Sequence, residues 1–411
     1  MKTEIILGLN DDPWQLEIIS CLNDNKNIKI IRRCVDSIDL ISASQSHPKS
    51  LVVISSNFAL LNLETISQLD SNKISVYGVY LQDDTESFEK LLNLKILDTH
   101  AFNLKDIESS TNALIDLMLN KKDKGKDLEP NSFIPGLISV WGTHGSPGRT
   151  TVACNLANSL SKSGLPTLLI DLDAVASSVG ANLSLISEVS GISSLIHDAL
   201  YGKLSKSSFD ENIFEVNSNL HVLTGISNSN RWPELRSSGL LEVLRFSTNF
   251  YVNIICDLSS VLPEISENFN YNDGIFKRFD HIPKVLDNSE KVVFVLQGTP
   301  LSLIRCNEQL DFLSERNIKD PIIILNKFNE LYLGKKFEKV IEDILLRCTN
   351  LENIFRIPEN IPLFSQSWLN AQAVIGKGDP VIDSLYKNIT LKIKNSESQV
   401  TKPKRLLKKV S

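Results

Sequence analysis

The chain has 411 residues, of which 42% are hydrophobic and 22% charged, and its formal net charge is −6. That length accommodates two or three domains, and the mild acidity argues against a dedicated nucleic-acid binder. The six cysteines include no C-x-x-C pair, the six histidines show no metal-ligand spacing, and no apolar run approaches the ~18 residues of a membrane span.

Residues 1–119 alternate short apolar runs with amphipathic stretches. The first residues run straight into a strand-like segment without an apolar leader, so a cytoplasmic protein with reduced thiols is expected. Glu4–Gly8, Ile28–Arg32, Leu51–Ile54 and Ser75–Tyr80 read as strands. Trp14–Leu22, Ser37–Ala43 and Thr85–Leu94 carry helical spacing. This rhythm predicts a parallel sheet with helices on both faces. Residues 120–135 are polar and lysine-rich with a late proline, and read as a linker. A second β-α series occupies residues 136–394. Its strands are expected at Leu137–Trp141, Thr167–Asp171, Leu220–Leu223, Val252–Asp257, Val292–Leu296 and Ile322–Leu325. Residues 395–411 form a basic tail, too short for stable membrane insertion but able to add peripheral attraction to anionic lipid.

The densest signal is Val140-Trp-Gly-Thr-His-Gly-Ser-Pro-Gly-Arg-Thr-Thr-Val152, set between an apolar strand and a helix-like run to Lys162. A strand, a glycine-rich loop and a helix together make a phosphate cradle. The glycines let backbone N–H groups converge, and the helix N-terminus adds partial positive charge. Against G-x-x-x-x-G-K-[ST], Gly148 takes the second glycine position and Thr150 the Mg²⁺-binding hydroxyl. Thr143 stands at the first glycine position and Arg149 at the lysine. Two apolar strands then end in carboxylates, at Asp171 with Asp173 and at Asp257. Carboxylates at the C-terminal edge of a parallel sheet lie beside such a loop, where they hold Mg²⁺ and its waters.

With these residues in order, the second domain resembles the MinD/ParA family of deviant Walker A ATPases, whose loop runs K-G-G-x-G-K-[ST]. Gly145, Gly148 and Thr150 match, and Thr151 continues the pattern. The resemblance implies an ATP site formed by Thr143, His144, Gly145, Ser146, Gly148, Arg149, Thr150 and Thr151. It implies Thr150, Asp171 and Asp257 on the Mg²⁺ side, and Asp173 as the group that orients or activates attacking water. Asn326 would help recognise adenine, and Pro358 lies in the loop that closes over the base. Three departures stand out. The signature lysine falls at His144, the second glycine at Ser146 and the loop lysine at Arg149. Arg149 keeps a permanent charge and can still hold phosphate and act in catalysis, whereas a histidine of pKa ~6.5 is mostly neutral at pH 7. A cation supplied to a phosphoryl-transfer transition state is worth ~10³–10⁵ in rate, so binding with slow hydrolysis is expected.

The first domain resembles a response-regulator receiver in outline, a flavodoxin-like α/β fold. Asp11 and Asp12 follow its first strand, but serines occupy the phosphoacceptor position after Leu51-Val-Val-Ile54, and Ala101–Lys105 would be the fifth strand. A receiver-like domain ahead of a MinD/ParA-type domain is the arrangement of the CpaE/TadZ group. That resemblance implies a nucleotide-sandwich homodimer that localises a pilus, secretion or septum-site assembly. A ParA-type DNA-segregation ATPase is the alternative, and its phosphate contacts would make DNA binding steeply salt-dependent. Iron-sulfur reductases and cobyric-acid-type amide synthases also use this fold. The cysteine scatter and the missing substrate domain count against them.

Overall fold

Two sheets organise the chain, seen in a computed structural model that describes residues 2–120, 133–185, 190–260, 279–318, 320–329, 339–377 and 379–395. The chain divides into two compact units. The first joins Met1–Pro130 to Ser194–Glu211 and Ser238–Val243, and the second comprises Asn131–Ser193, Asn212–Ser237 and Leu244–Ser411. Most of the expected linker, and the basic tail beyond residue 395, lie outside the described residues.

In the first unit, strands β1 (Thr3–Gly8), β2 (Ile28–Arg33), β3 (Leu51–Ser55), β4 (Val76–Leu81) and β5 (Thr99–Phe102) alternate with helices. These are α1 (Pro13–Asp24), α2 (Ser37–Ser46), α3 (Leu63–Ser71), α4 (Thr85–Asn93) and α5 (Ile107–Asn120). All pairs are parallel, in the order β2-β1-β3-β4-β5, the doubly wound order of flavodoxin-like folds. Neighbouring residues of one strand face opposite layers. Ile6, Val52 and Ile54 enter one buried cluster, while Ile5, Leu7 and Val53 enter the other. A sheet covered on both faces explains why its strands read as continuous apolar runs.

Asp12 sits at the N-cap of α1 but its side chain makes no capping bond to the backbone. Its Oδ2 accepts instead from Gln15 Nε2 (2.9 Å) and Asn57 Nδ2 (3.1 Å), while Ser55 Oγ donates to Asn57 Oδ1 (2.8 Å). Amide donors thus occupy the polar end of this sheet. The fifth strand stops at Phe102, leaving Lys105 exposed in the following turn. Residues from later in the chain complete this unit. Leu200 packs on the cluster that contains Leu91 and Leu94, Asn93 Nδ2 donates to the Gly202 carbonyl (3.0 Å), and Lys95 pairs with Glu242.

The second unit is built on β6 (Ile134–Gly142), β7 (Thr167–Leu172), β8 (Phe214–Asn217), β9 (Leu220–Leu223), β10 (Asn253–Leu258), β11 (Ser289–Gln297), β12 (Ile322–Phe328) and β13 (Ile354–Pro358). Their order is β13-β12-β11-β6-β10-β7-β9-β8, parallel except for the β8–β9 hairpin. The helices that follow α5 are α6 (Arg149–Lys162), α7 (Val179–Asn182), α8 (Gly191–Leu200), α9 (Lys206–Asn212), α10 (Ser237–Ser247), α11 (His281–Asn288), α12 (Pro300–Glu315), α13 (Ile361–Leu369) and α14 (Pro380–Asn395). Parts of α8, α9 and α10 belong to the first unit. Val152, Leu156 and Leu160 of α6 pack with Ile138, Val140, Ile255 and Val293 from three neighbouring strands, which fixes the helix at the C-terminal edge of β6. No helix among the described residues is long and apolar enough to cross a membrane. All six cysteines are free, four of them buried.

Candidate functional site

Six residues join β6 to α6, and side chains hold several carbonyls along this stretch. Gln309 Nε2 donates to Gly142 O (3.1 Å), Arg149 Nη1 to Thr143 O (2.8 Å), Lys327 Nζ to Ser146 O (3.0 Å) and Asn326 Nδ2 to Pro147 O (2.7 Å). By contrast, the backbone N–H groups from His144 to Thr151 have no acceptor among the described residues. Several carbonyls held by side chains and a run of N–H groups without acceptors, at the start of a 14-residue helix, suit an anion. The geometry depends on left-handed backbone. Gly148, the N-cap of α6, has φ +93°, and a Cβ there would overlap the Asn326 amide. Ser146 has φ +56°, a conformation that costs a side-chain-bearing residue roughly 1–2 kcal/mol.

Behind the loop stand the carboxylates. Asp257, fully buried at the end of β10, accepts from Thr150 Oγ1 (2.6 Å) through Oδ2, and its Oδ1 has no partner among the described residues. Burial, with Asp171 close by, pushes its carboxyl well above the usual carboxylate range, against the pull of Thr150 and Arg149. Asp171 is also pushed up, to about 6, by burial. Its oxygens accept from Ser177 Oγ (2.7 Å) and from the N–H groups of Asp173 (3.1 Å), Ser178 (2.8 Å) and Val179 (2.9 Å). Those four bonds make Asp171 the anchor of the segment that leads into α7, rather than an open metal ligand. Ser178 Oγ in turn reaches Thr150 Oγ1 (3.1 Å). Asp173 caps the next turn through Oδ1, from Val175 N–H (2.8 Å) and Ala176 N–H (3.0 Å), while its Oδ2 faces Arg149 Nη2 at 3.7 Å.

The expected site residues divide in two. Ser146, Gly148, Arg149, Thr150, Thr151, Asp173, Asn326 and Pro358 line one cavity of about 660 Å³. Thr143, His144, Gly145, Asp171 and Asp257 do not line it. Thr143 is buried, with its hydroxyl 3.0 Å from Ser302 Oγ. His144 is exposed, with Nδ1 3.0 Å from Ser260 Oγ, and desolvation together with Arg149 and Arg305 lowers its pKa and keeps it neutral near pH 7. Arg149, read as a phosphate contact, also donates through Nε to Leu258 O (3.1 Å), so its guanidinium braces the loop from beneath. Asn326, read as an adenine contact, has its amide nitrogen on the loop carbonyl.

Two contributors escaped the sequence reading. Lys327 reaches the loop and lines the cavity. The opposite wall is one face of α13, formed by Ile361, Phe364, Ser365 and Trp368, and Trp368 is 58% exposed. Their three- and four-residue spacing was visible in the sequence.

The site fits a divalent cation held together with nucleotide. Asp257 offers a buried oxygen beside the Thr150 hydroxyl, and the described residues form no cluster of three His, Cys, Asp or Glu side chains. Mg²⁺ is held in that way, by one or two protein oxygens with phosphates and water completing its shell.

No curated protein sequence matches the chain. Among solved structures, the ParA family ATPase from Chlorobium tepidum TLS aligns with a TM-score of 0.51 at 18% identity, covering 62% of this chain and 99% of that one. The cell division ATPase MinD from Pyrococcus furiosus aligns at 0.49 and 17% identity, covering 63% and 98%. A putative plasmid partition protein from Borrelia burgdorferi B31, bound to AMPPNP, aligns at 0.47 and 19% identity, covering 64% and 99%. At 18% identity the first of these likenesses is one of fold alone. The CobQ/CobB/MinD/ParA nucleotide binding domain matches residues 138–365, more than half of the chain, and that span contains the loop, both acidic strand ends, Asn326 and Pro358. The chain belongs to the CobQ/CobB/MinD/ParA nucleotide-binding domain family.

Proposed function

We propose that this protein is a nucleotide-dependent spatial organiser that binds Mg²⁺-ATP, dimerises, hydrolyses slowly and positions a pilus, secretion or septum-site assembly. The observation that carries the reading is the loop in which side chains hold the carbonyls of Gly142, Thr143, Ser146 and Pro147 while its N–H groups have no acceptor among the described residues, beside the Thr150–Asp257 pair. The N–H groups bind phosphate oxygens, and Thr150 and Asp257 hold the metal, which when bound neutralises charge between the phosphates. Asp173 stands at the cavity wall with one oxygen toward Arg149, in place to orient water. Neutral His144 cannot supply the cation that a lysine there would carry, and this favours retention of ATP over turnover. In this reading the first unit is a degenerate receiver-like docking domain, its polar edge closed by Gln15, Asn57 and Asp12 rather than opened to a metal.

Nucleotide binding measured beside turnover tests this, with size-exclusion chromatography in ADP and in ATP. ATP at ~100 times its Kd should add ~2.7 kcal/mol of stability, hydrolysis should be slow, and ATP should shift the protein to a dimer. Absence of any thermal shift with millimolar ATP or ADP would sink the nucleotide reading, and brisk hydrolysis would sink the slow-turnover part.

The α13 wall is expected to receive the base. Base–aromatic stacking is worth ~1–3 kcal/mol by alanine substitution, so Trp368→Ala should weaken ATP by about tenfold or more. ATP should also quench wild-type tryptophan emission and leave that of the variant unchanged. Equal quenching in both proteins would place the base elsewhere.

A further inference from the structure

One buried amide joins the start of α6 to the segment that follows the opposite wall of the cavity. Asn155, 1% exposed, donates through Nδ2 to Thr151 O (2.8 Å), and Thr151 lines the cavity. Its Oδ1 accepts from Val374 N–H (2.7 Å) and Ile375 N–H (3.3 Å). Two turns further along the same face of α6, Lys162 Nζ donates to Ile375 O (2.7 Å). The next residue is Gly376, with φ +80°, and a Cβ there would meet the Lys162 ammonium. Helix α6 thus holds two N–H groups and a carbonyl of one short segment. Val374 and Ile375 are buried in the same apolar cluster as Val152, Leu156 and Leu160 of that helix.

The segment so held continues from α13. The turn that ends α13 is bonded back onto it, Ala371 N–H to Trp368 O (3.1 Å) and Gln372 N–H to Ser367 O (3.0 Å). Only Ala373 separates that turn from Val374. Trp368 is therefore a few bonds from the helix whose first turn ends the phosphate loop, although Asn155 itself does not line the cavity.

We propose that Asn155 is a positioning residue for the nucleotide. Acting through Val374 and Ile375, it sets the α13 wall at a fixed distance from the loop, so that base and phosphates meet one rigid site. The assignment rests on the nucleotide reading above and on α13 as the wall that receives the base. Without the amide, two buried N–H groups lose their acceptor and the segment leading from α13 is free to shift.

The experiment is calorimetric titration of the full chain with Mg²⁺-ATP in a double-mutant cycle of Asn155→Ala and Trp368→Ala, repeated with Lys162→Met in place of Asn155→Ala. ATP is expected to weaken by about tenfold in Asn155→Ala and by about fivefold in Lys162→Met. In the Trp368→Ala background each should cost less than about twofold more, because the wall that they position no longer holds the base. A purely structural defect would lower the melting temperature and weaken ATP by the same factor in both backgrounds, and that additive result would overturn the role. Unchanged ATP binding in both Asn155→Ala and Lys162→Met would overturn it too, while leaving the nucleotide reading standing. Should Asn155→Ala fail to fold, the Lys162→Met cycle decides by the same comparison. A Trp368→Ala protein that binds ATP as wild type does would take the base away from α13 and this role with it. Wild-type protein that takes up no ATP would end both readings.

Discussion

Asp257→Asn should raise the melting temperature of the ligand-free protein and abolish the stabilisation that Mg²⁺ adds to bound ATP. Both effects follow from one carboxyl. Asp257 is buried beside Asp171, where the nearby Arg149 offsets only part of the cost of its charge, and its Oδ1 lacks a partner among the described residues. Removing such a charge is worth roughly 1 kcal/mol or more, a rise of about 2–4 °C for a unit of this size. The asparagine can still accept from Thr150, but it offers a metal no charge.

The pH dependence follows with a definite sign. Asp171 rises from 3.8 to about 6 on folding, and burial pushes Asp257 up from the same starting value. Stability from these neutral carboxyls is fully present below about pH 4 and is lost as pH climbs through about 6 for Asp171, with Asp257 acting in the same direction. A bound cation favours the ionised forms, so the gain from Mg²⁺ with ATP should grow over that window in wild-type protein. In Asp257→Asn it should stay small at every pH. Thermal melts across pH 5 to 8, with and without Mg²⁺, settle the matter, and an equal Mg²⁺ gain in the variant would remove Asp257 from the metal side.

The second large effect concerns Arg149→Met. The guanidinium holds Thr143 O and Leu258 O and faces Asp173, with its side chain only 13% exposed. Deleting it leaves two carbonyls without their donor and Asp173 without its nearest cation. The expected cost is about 2–4 kcal/mol, a fall of roughly 6–12 °C in melting temperature. At a temperature where the variant is folded, ATP affinity should fall by less than about threefold if, as proposed, the loop N–H groups are what hold the phosphates. The reverse pattern, a stable protein that no longer binds ATP, would return Arg149 to the role of phosphate ligand.

The sequence carried much of the fold because buried parallel strands advertise themselves. Thr167–Asp171 and Val252–Asp257 were readable as apolar runs, with Asp171 and Asp257 as charges at their ends. The carboxylates' separate duties were not readable. Whether an aspartate is left open like Asp257 or bound by four donors like Asp171 depends on the segment from Ser177 to Val179, which folds back only in three dimensions. Arg149 was legible as a cation at the lysine position, but its orientation is set by Leu258 O, more than a hundred residues away. Lys327 was hidden for a similar reason. It sits where the pairing of β12 with β13 shifts register, and such a bulge belongs to a pair of strands that no single-strand pattern announces. The short antiparallel strand β8, exposed along three of its four residues, had no apolar signature to find.

The first unit borrows Ser194–Glu211 and Ser238–Val243 from late in the chain, and that has a consequence during synthesis. Translation runs from the N-terminus at about 5–20 residues per second. The five strands of the first sheet emerge early, yet Leu200 and Glu242, which join its Leu94 and Lys95 side, follow only after the phosphate loop has been made. For roughly five to twenty seconds the nascent sheet is therefore complete in its strands and bare along one flank. A fragment that ends near residue 130 remains in that state permanently. Its apolar flank beside Leu91 and Leu94 is then a sticky surface that the full-length chain keeps covered.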